Sequence, residues 1–374
     1  MRTLAVVGGG VIGLSVAWRA AETGWAVTVY DPAVGTGASW VAGGMLAPLS
    51  EGWPGEDAAL VFGAASLARW PEFANRLKAI TGTDVFTADE TLTVALDAAD
   101  TADLRTIADF VNTHDLPTLR RGVSKDSVHG LRLLDRAGVR TAEPVLGRGI
   151  RAGLLSPAEG AVDNRALVTA LRAACNAAGV ELRAEKVSAL DDLAQDRIVL
   201  ATGAAAAQLW PDLPVRPVKG EILRLRRRSS TAPPPTRVIR ARVHGRPIYL
   251  VPRQDGIVLG ATQYEAGFDT TVTVAGVRDL ITDAETVFPA IGEYELAEAS
   301  AGSRPGSPDN LPLIGALDDR VIAATGHGRN GILCVPVTAD AVMALLADRE
   351  LPEAYAASPA RFSSKSRIPA GGLS

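Results

Sequence analysis

The chain of 374 residues holds only two cysteines, Cys175 and Cys334, far apart and without CxxC or Cys/His spacing. That pattern excludes a disulfide framework and a cysteine-based zinc site, and it makes a reduced, cytoplasmic setting the expectation. No stretch approaches the uninterrupted run of about 20 apolar residues that crosses a bilayer. The apolar start of the chain is no exception. Glycines break it, Arg2 is its only basic flank and it runs into a charged helix, so it reads as a core strand rather than a signal peptide. Neither sign of charge dominates, with 38 Lys+Arg against 42 Asp+Glu. Balanced charge gives no electrostatic case for nucleic acid or an anionic membrane as main partner. The cluster RLRRR at 224–228 and the arginines from Arg237 to Arg246 are accordingly expected on solvated faces or a strand edge. Length points to two domains, because one core rarely grows past about 250–300 residues.

What is present begins with MRTLAVVGGGVIGLSVAWRAAETGWAVTVYD. Residues 4–7 predict a strand, Gly8 to Gly13 a glycine turn, the stretch to about Thr23 a helix, and Ala26 to Tyr30 a second strand ending at Asp31. In such a unit Gly8-x-Gly10-x-x-Gly13 gives a tight turn, lets backbone N–H groups approach a pyrophosphate and allows close helix–strand packing. Val11 and Ile12 open the helix whose N-terminus faces the phosphates. Asp31 would accept from a ribose hydroxyl pair. The unit predicts a bound dinucleotide and leaves open which one.

The small-residue loop 32–55 reads as close backbone approach to a ligand. Helical periodicity covers 58–79 and 101–113, and the alternation in 83–96 predicts the strands of a hairpin. A helix is expected from Asn164 to Gly179, then VELRAEKVSAL (180–190), then a buried strand in 196–204. Residues 215–226, 248–252 and 256–263 read as strands of a second, β-rich domain, with 229–236 as an exposed loop. Residues 320–350 give strand, glycine turn and helix once more, and the tail after Phe362 has the composition of a disordered segment.

The motifs GGGVIGL…VYD, ASWVAGGMLAP (38–48), VKGE (218–221), YLVPR (249–253), LGAT (259–262), RPGSPDNLPLIG (304–315) and GHGRNGILCVP (326–336) resemble the D-amino acid oxidase superfamily of flavoproteins. Within it they are most similar to the glycine oxidases of thiamine biosynthesis. The likeness covers nearly the whole chain up to Phe362. It implies an α/β (α+β overall) fold: a glutathione-reductase-type, Rossmann-like FAD domain with a second, antiparallel-sheet substrate domain. The boundaries expected are 1–85, 145–215 and 305–362 for the FAD domain, 86–144 and 216–304 for the substrate domain, and 363–374 for the tail. FAD is expected to be non-covalent, since neither cysteine falls where the sarcosine oxidases attach theirs. Besides the first glycine unit, its expected contacts are Ala38, Ser39, Ala42, Gly43, Gly44 and Met45, then Val187, Thr202 and Gly203, then 327–333 (His327, Gly328, Arg329, Asn330, Gly331, Ile332, Leu333).

The late turn would bring N–H groups and a helix starting near Gly331 to one spot, where they favour negative charge on a reduced flavin. An ordinary αβ turn is the alternative. His327 reads as a backbone-capping group rather than a general base. The resemblance implies that Arg304 holds the substrate carboxylate with Tyr249, and that Arg329 stands at the site mouth. From the residues alone Arg304 and Arg329 could be surface arginines and Tyr249 a half-buried strand aromatic. Gln263 departs from the methionine expected after LGAT and bears on which amine is preferred. The implied reaction is oxidation of glycine and small amines or D-amino acids (sarcosine, D-alanine, D-proline) by O2, giving imine or keto acid, ammonia and H2O2, in a homo-oligomer. A dehydrogenase passing electrons to a carrier would keep every motif, and a non-catalytic dinucleotide-binding regulator would need only the first.

Overall fold

The computed structural model describes residues 1–116 and 130–362; the expected disordered tail, 363–374, lies outside the described residues. β1 (Thr3–Val7), α1 (Val11–Glu22) and β2 (Ala26–Tyr30) form the βαβ unit, with β1 and β2 parallel from Thr3↔Ala26 to Val7↔Tyr30. The glycine spacing has a steric cause. A Cβ on Gly13 would come within 1.8 Å of the Gly8 carbonyl oxygen, so α1 starts this close to β1 only because position 13 has no side chain.

β1 is central in a six-stranded sheet ordered Leu313–Ala316, Val321–Thr325, Arg197–Leu200, β1, β2, Glu181–Arg183. Arg197–Leu200 pairs parallel with β1, and Val321–Thr325 pairs parallel with Arg197–Leu200, so distant parts of the chain close one nucleotide-side sheet. The helices Asp57–Thr81, Asn164–Ala177 and Val335–Leu346 pack with α1 into its main core, around Trp18, Phe62, Trp70 and Phe73. Asn164–Ala177 starts where the Asp163 carboxylate accepts from the Arg165 and Ala166 N–H groups, and it buries Leu167, Leu171, Ala174 and Cys175 as one stripe.

The second sheet has eight strands in the order Glu295–Gly306, Arg216–Arg226, Gly256–Gly260, Arg246–Arg253, Val238–Val243, Thr91–Ala95, Ala152–Ser156, Arg132–Asp135. It is mixed rather than purely antiparallel, because Val238–Val243 runs parallel to Thr91–Ala95. The hairpin expected over 83–96 does not form. Phe86–Ala88 joins Met45–Leu46 and Gly160–Val162 in a small third sheet, while Thr91–Ala95 enters the large one. Thr91–Ala95 has strands on both edges and is buried along most of its length, a demand that its local alternation did not reveal. Ala152–Ser156, within the stretch 145–215 expected in the FAD domain, also pairs in the large sheet. No helix among the described residues is long and apolar enough to cross a membrane.

Gly13→Ala therefore forces α1 away from β1. Overpacking of this kind costs about 1–3 kcal/mol, and the expected result is a lower urea midpoint with an unchanged slope; a midpoint equal to the parent's would show that the contact tolerates a side chain.

Candidate active site

A cavity of about 1260 Å³ is lined from both large sheets. At the glycine turn Gly8, Gly10, Val11 and Ile12 face it; Gly13 does not, and serves packing instead. The Val11 N–H donates to Ser39 Oγ at 3.1 Å, and α1 has no side-chain cap at Gly10. The Ile12 N–H meets no acceptor among the described residues, which leaves a donor at a helix N-terminus pointing to an anion. Asp31 receives the Gly9 N–H at 2.6 Å and the Ala33 N–H at 2.8 Å. A carboxylate offers about four lone-pair directions, so Asp31 fixes the turn and keeps acceptor capacity. Val187, Thr202 and Gly203 line the same cavity, and Thr202 Oγ1 is buried without a partner among the described residues.

The turn carrying Ala38, Ser39, Ala42, Gly43, Gly44 and Met45 is held from behind. Asn164 Nδ2 donates to the Ser39 and Trp40 carbonyls at 2.9 and 2.8 Å, and Arg253 Nη2 to the Gly43 carbonyl at 2.9 Å. Burial lowers the Arg253 guanidinium to about 10, which leaves it charged at neutral pH. The Gly43 and Gly44 N–H groups have no acceptor among the described residues. Arg224, expected on a solvated face, turns inward and donates to Asn164 Oδ1 at 3.0 Å.

Across the cavity stands the late turn. Its helix begins at Val335 rather than Gly331, after a 3-10 turn over Gly328–Asn330, because Pro336 suits only the first helical turn. His327, Gly328, Arg329, Asn330, Gly331 and Ile332 line the cavity, whereas the Leu333 side chain packs into the core. The Leu333 carbonyl accepts from Ser66 Oγ at 2.6 Å and Trp70 Nε1 at 2.8 Å, which sets the turn's orientation. The Gly331, Ile332 and Leu333 N–H groups meet no acceptor among the described residues. His327 does not cap backbone: its Nε2 lies 3.0 Å from Thr338 Oγ1, and burial lowers the ring to about 3, so it stays neutral at physiological pH.

Arg304 and Tyr249 owe their positions to glycines. Gly220 pairs directly with Gly302 on neighbouring strands, and a Cβ at 220 would sit 2.2 Å from Arg304 Nη1. A Cβ at Gly260 would lie 2.3 Å from the Tyr249 hydroxyl oxygen, and one at Gly43 2.7 Å from its ring. Arg304 Nη1 donates to the Thr262 carbonyl at 3.2 Å, and the guanidinium has no carboxylate within 4.0 Å among the described residues. Burial raises the Tyr249 phenol while Arg304, Arg253 and Arg224 pull it down, so the hydroxyl keeps its proton and can donate.

A family model described as FAD dependent oxidoreductase matches residues 3–345. The chain belongs to that family. It is 32% identical over 379 residues to the Bifunctional protein ThiO/ThiG of Synechocystis sp., covering 96% of this chain and 53% of that protein. It is also 32% identical to the Putative thiamine biosynthesis oxidoreductase ThiO of Rhizobium etli, covering 94% and 99%. The chain thus spans about half the length of the bifunctional relatives. The crystal structure of glycine oxidase from Geobacillus kaustophilus superposes with a TM-score of 0.85 at 28% identity, covering 96% of this chain and 99% of that one. The free N–H groups of the three turns and the unpartnered Thr202 hydroxyl fit FAD.

Arg329, in the lining of the cavity, is paired with carboxylates. Its Nε lies 2.6 Å from Glu51 Oε2 and its Nη2 3.3 Å from Glu56, and the Glu51 charge raises the guanidinium further. Glu51 also takes Arg240 Nη2 at 2.7 Å. Arg240, expected to be solvated, lines the cavity, and Arg246 pairs bidentately with buried Asp283 at 2.7 Å. Gln263 lines the cavity from an exposed position and has no hydrogen-bond partner among the described residues. Beneath the loop bearing Glu51 lies Glu159, fully buried, accepting from the Leu49 and Ser50 N–H groups, with its second oxygen unpartnered among the described residues. Burial pushes its carboxyl up to about 7.

Two outcomes are expected. Gly220→Ala displaces Arg304 and weakens binding of a carboxylate, read as a weaker perturbation of the flavin spectrum by acetate with FAD content retained. The second concerns pH. Native Glu159 keeps its proton to about 7 while the unfolded carboxyl loses it near 4.5, so stability falls as pH rises through that window. Glu159→Gln removes this slope, and its urea midpoint gains on the parent's between pH 5 and pH 8; a constant difference would contradict the raised value.

Proposed function

We propose that this enzyme oxidises glycine and small amines or D-amino acids, including sarcosine, D-alanine and D-proline, with O2 as acceptor, releasing imine or keto acid, ammonia and H2O2. The imine of glycine would supply thiamine thiazole synthesis, in keeping with the names of its relatives. The observation that carries the reading is the unpaired Arg304 guanidinium beside the Tyr249 hydroxyl, in the cavity that the cofactor turns line. A planar fork without a carboxylate of its own is suited to a substrate carboxylate through two parallel hydrogen bonds. Tyr249, protonated and wedged on Gly260 and Gly43, adds a third donor. Together they fix the substrate's orientation, which replaces the need for a strong acid or base, and neutral His327 is not available as one.

Bound FAD supplies the two-electron acceptor that O2 re-oxidises. The glycine turn with Asp31 would hold its adenosine and pyrophosphate, and the Gly43–Gly44 and Gly331–Leu333 N–H groups would face its reactive ring and favour added negative charge. Non-covalent binding is supported by Cys175 and Cys334, both buried, off the cavity and raised to about 12, so neither presents a thiolate. We assign the six-stranded sheet to the FAD domain and the eight-stranded sheet to the substrate domain of a cytoplasmic homo-oligomer, with no nucleic acid or membrane as partner.

Purified holoenzyme under air is expected to release peroxide with glycine, sarcosine and D-alanine and none with L-alanine. Turnover with a redox dye but no peroxide would make it a dehydrogenase, and a colourless protein would make it a regulator. Arg304→Ala is expected to lower kcat/KM by about one to two orders of magnitude, mostly through KM, since charged hydrogen bonds contribute about 1.5–3 kcal/mol. An unchanged KM in a flavin-loaded variant would remove Arg304 from the clamp.

A further inference from the structure

The VKGE motif does more than make room for Arg304. Its Lys219 and Glu221 flank Gly220 and are both buried. They pin one segment, Thr262 to Thr273, at four places. At the near end the Glu221 N–H donates to Thr262 Oγ1 at 2.9 Å, and the Thr262 N–H to the Glu221 carbonyl at 3.2 Å. Next, Lys219 and Tyr264 exchange backbone hydrogen bonds at 2.9 and 3.0 Å. In the middle, Lys219 Nζ donates to the Thr271 carbonyl and to Asp269 Oδ2 at 3.1 Å. At the far end Glu221 Oε1 accepts the Thr273 N–H at 3.0 Å and its hydroxyl at 3.1 Å.

This segment carries Gln263, Phe268 and Thr270 into the cavity lining. Phe268 is 53% exposed and belongs to none of the hydrophobic cores, so folding alone gives no reason for an aromatic ring there. The same strand, Arg216–Arg226, therefore sets both ends of a ruler. Gly220 seats the Arg304 guanidinium, which also touches the Thr262 carbonyl, and its two neighbours seat the loop that bears Phe268.

We infer that Thr262–Thr273 is a preset specificity wall: Lys219, Glu221 and Asp269 hold it so that Phe268 bounds the space for the substituent on the substrate's α-carbon or nitrogen while Arg304 holds the carboxylate. The inference rests on the amino acid reading of the Arg304 site. Phe268 is the specificity-determining residue, and Lys219, Glu221 and Asp269 are positioning residues. Glycine and its small N-alkyl derivatives fit within the wall, and larger side chains meet the ring.

The test uses flavin-loaded parent, Phe268→Ala and Asp269→Ala, the latter removing an exposed tether of the buried Lys219. Acetate and phenylacetate are titrated by flavin absorption, and kcat/KM is measured for glycine and D-leucine. Phe268→Ala is expected to raise the D-leucine to glycine ratio and the phenylacetate to acetate affinity ratio by about tenfold, the lower end of what one methylene gained or lost is worth in an apolar pocket. Asp269→Ala is expected to move both ratios in the same direction by a smaller factor, with KM shifting more than kcat. Ratios within about twofold of the parent's in Phe268→Ala, with acetate still binding, overturn the wall and leave the Arg304 reading standing. Failure of acetate to perturb the flavin of the parent overturns both.

Discussion

The approach of the Arg304 guanidinium to the bare backbone of Gly220 is the contact on which the site depends. Two paired strands meet there through glycines, 220 and 302, and the missing side chains become the floor of a binding cavity. The same device recurs wherever this protein needs close approach. Gly13 lets α1 reach β1, Gly260 and Gly43 form a slot for the Tyr249 ring, and Gly44 leaves no room for a Cβ beside the Val162 carbonyl. In each case the glycine is required by what touches it, rather than by a turn conformation alone.

Charge is distributed by the same logic of contact. Arg240 and Arg329 share Glu51, Arg246 takes Asp283, and Arg237 takes Glu90 at 2.5 Å. Arg253 and Arg224 spend their donors on the Gly43 carbonyl and on Asn164, the two supports of the 38–45 turn. These guanidiniums are neutralised or engaged within the protein; Arg240 and Arg329 line the cavity, and Arg253 and Arg224 brace the turn behind it. Arg304 differs because it donates to the main-chain carbonyls of Lys219 and Thr262 and meets no carboxylate among the described residues, so its charge remains available to a ligand.

Buried groups divide between those that hold the site and those that react to pH. Lys219 and Glu221 sit in mutual contact, 3.6 Å apart, with their remaining hydrogen bonds directed to one loop. Glu159 has no such counter-charge bonded to it and keeps its proton instead, as burial demands of a carboxyl with an unpartnered oxygen.

The sequence by itself determined the βαβ unit, the family likeness and most residues of the turns that line the cavity, because those depend on local spacing: glycine intervals, short strands and a helix start. It also named Arg304 and Tyr249, through the motifs around them. Only the tertiary structure decided which arginines are engaged, since a pair such as Arg329 and Glu51 is made across 278 positions of chain. It decided, too, that Thr91–Ala95 leaves its apparent hairpin partner, because strand pairing is settled by neighbours that arrive from Val238–Val243 and Ala152–Ser156. Asn164 was legible only as a helix start and Lys219 only as part of a motif, and Glu159 carried no local signal. Their roles exist only where three segments converge, and burial and distance, which assign those roles, are properties of the folded chain.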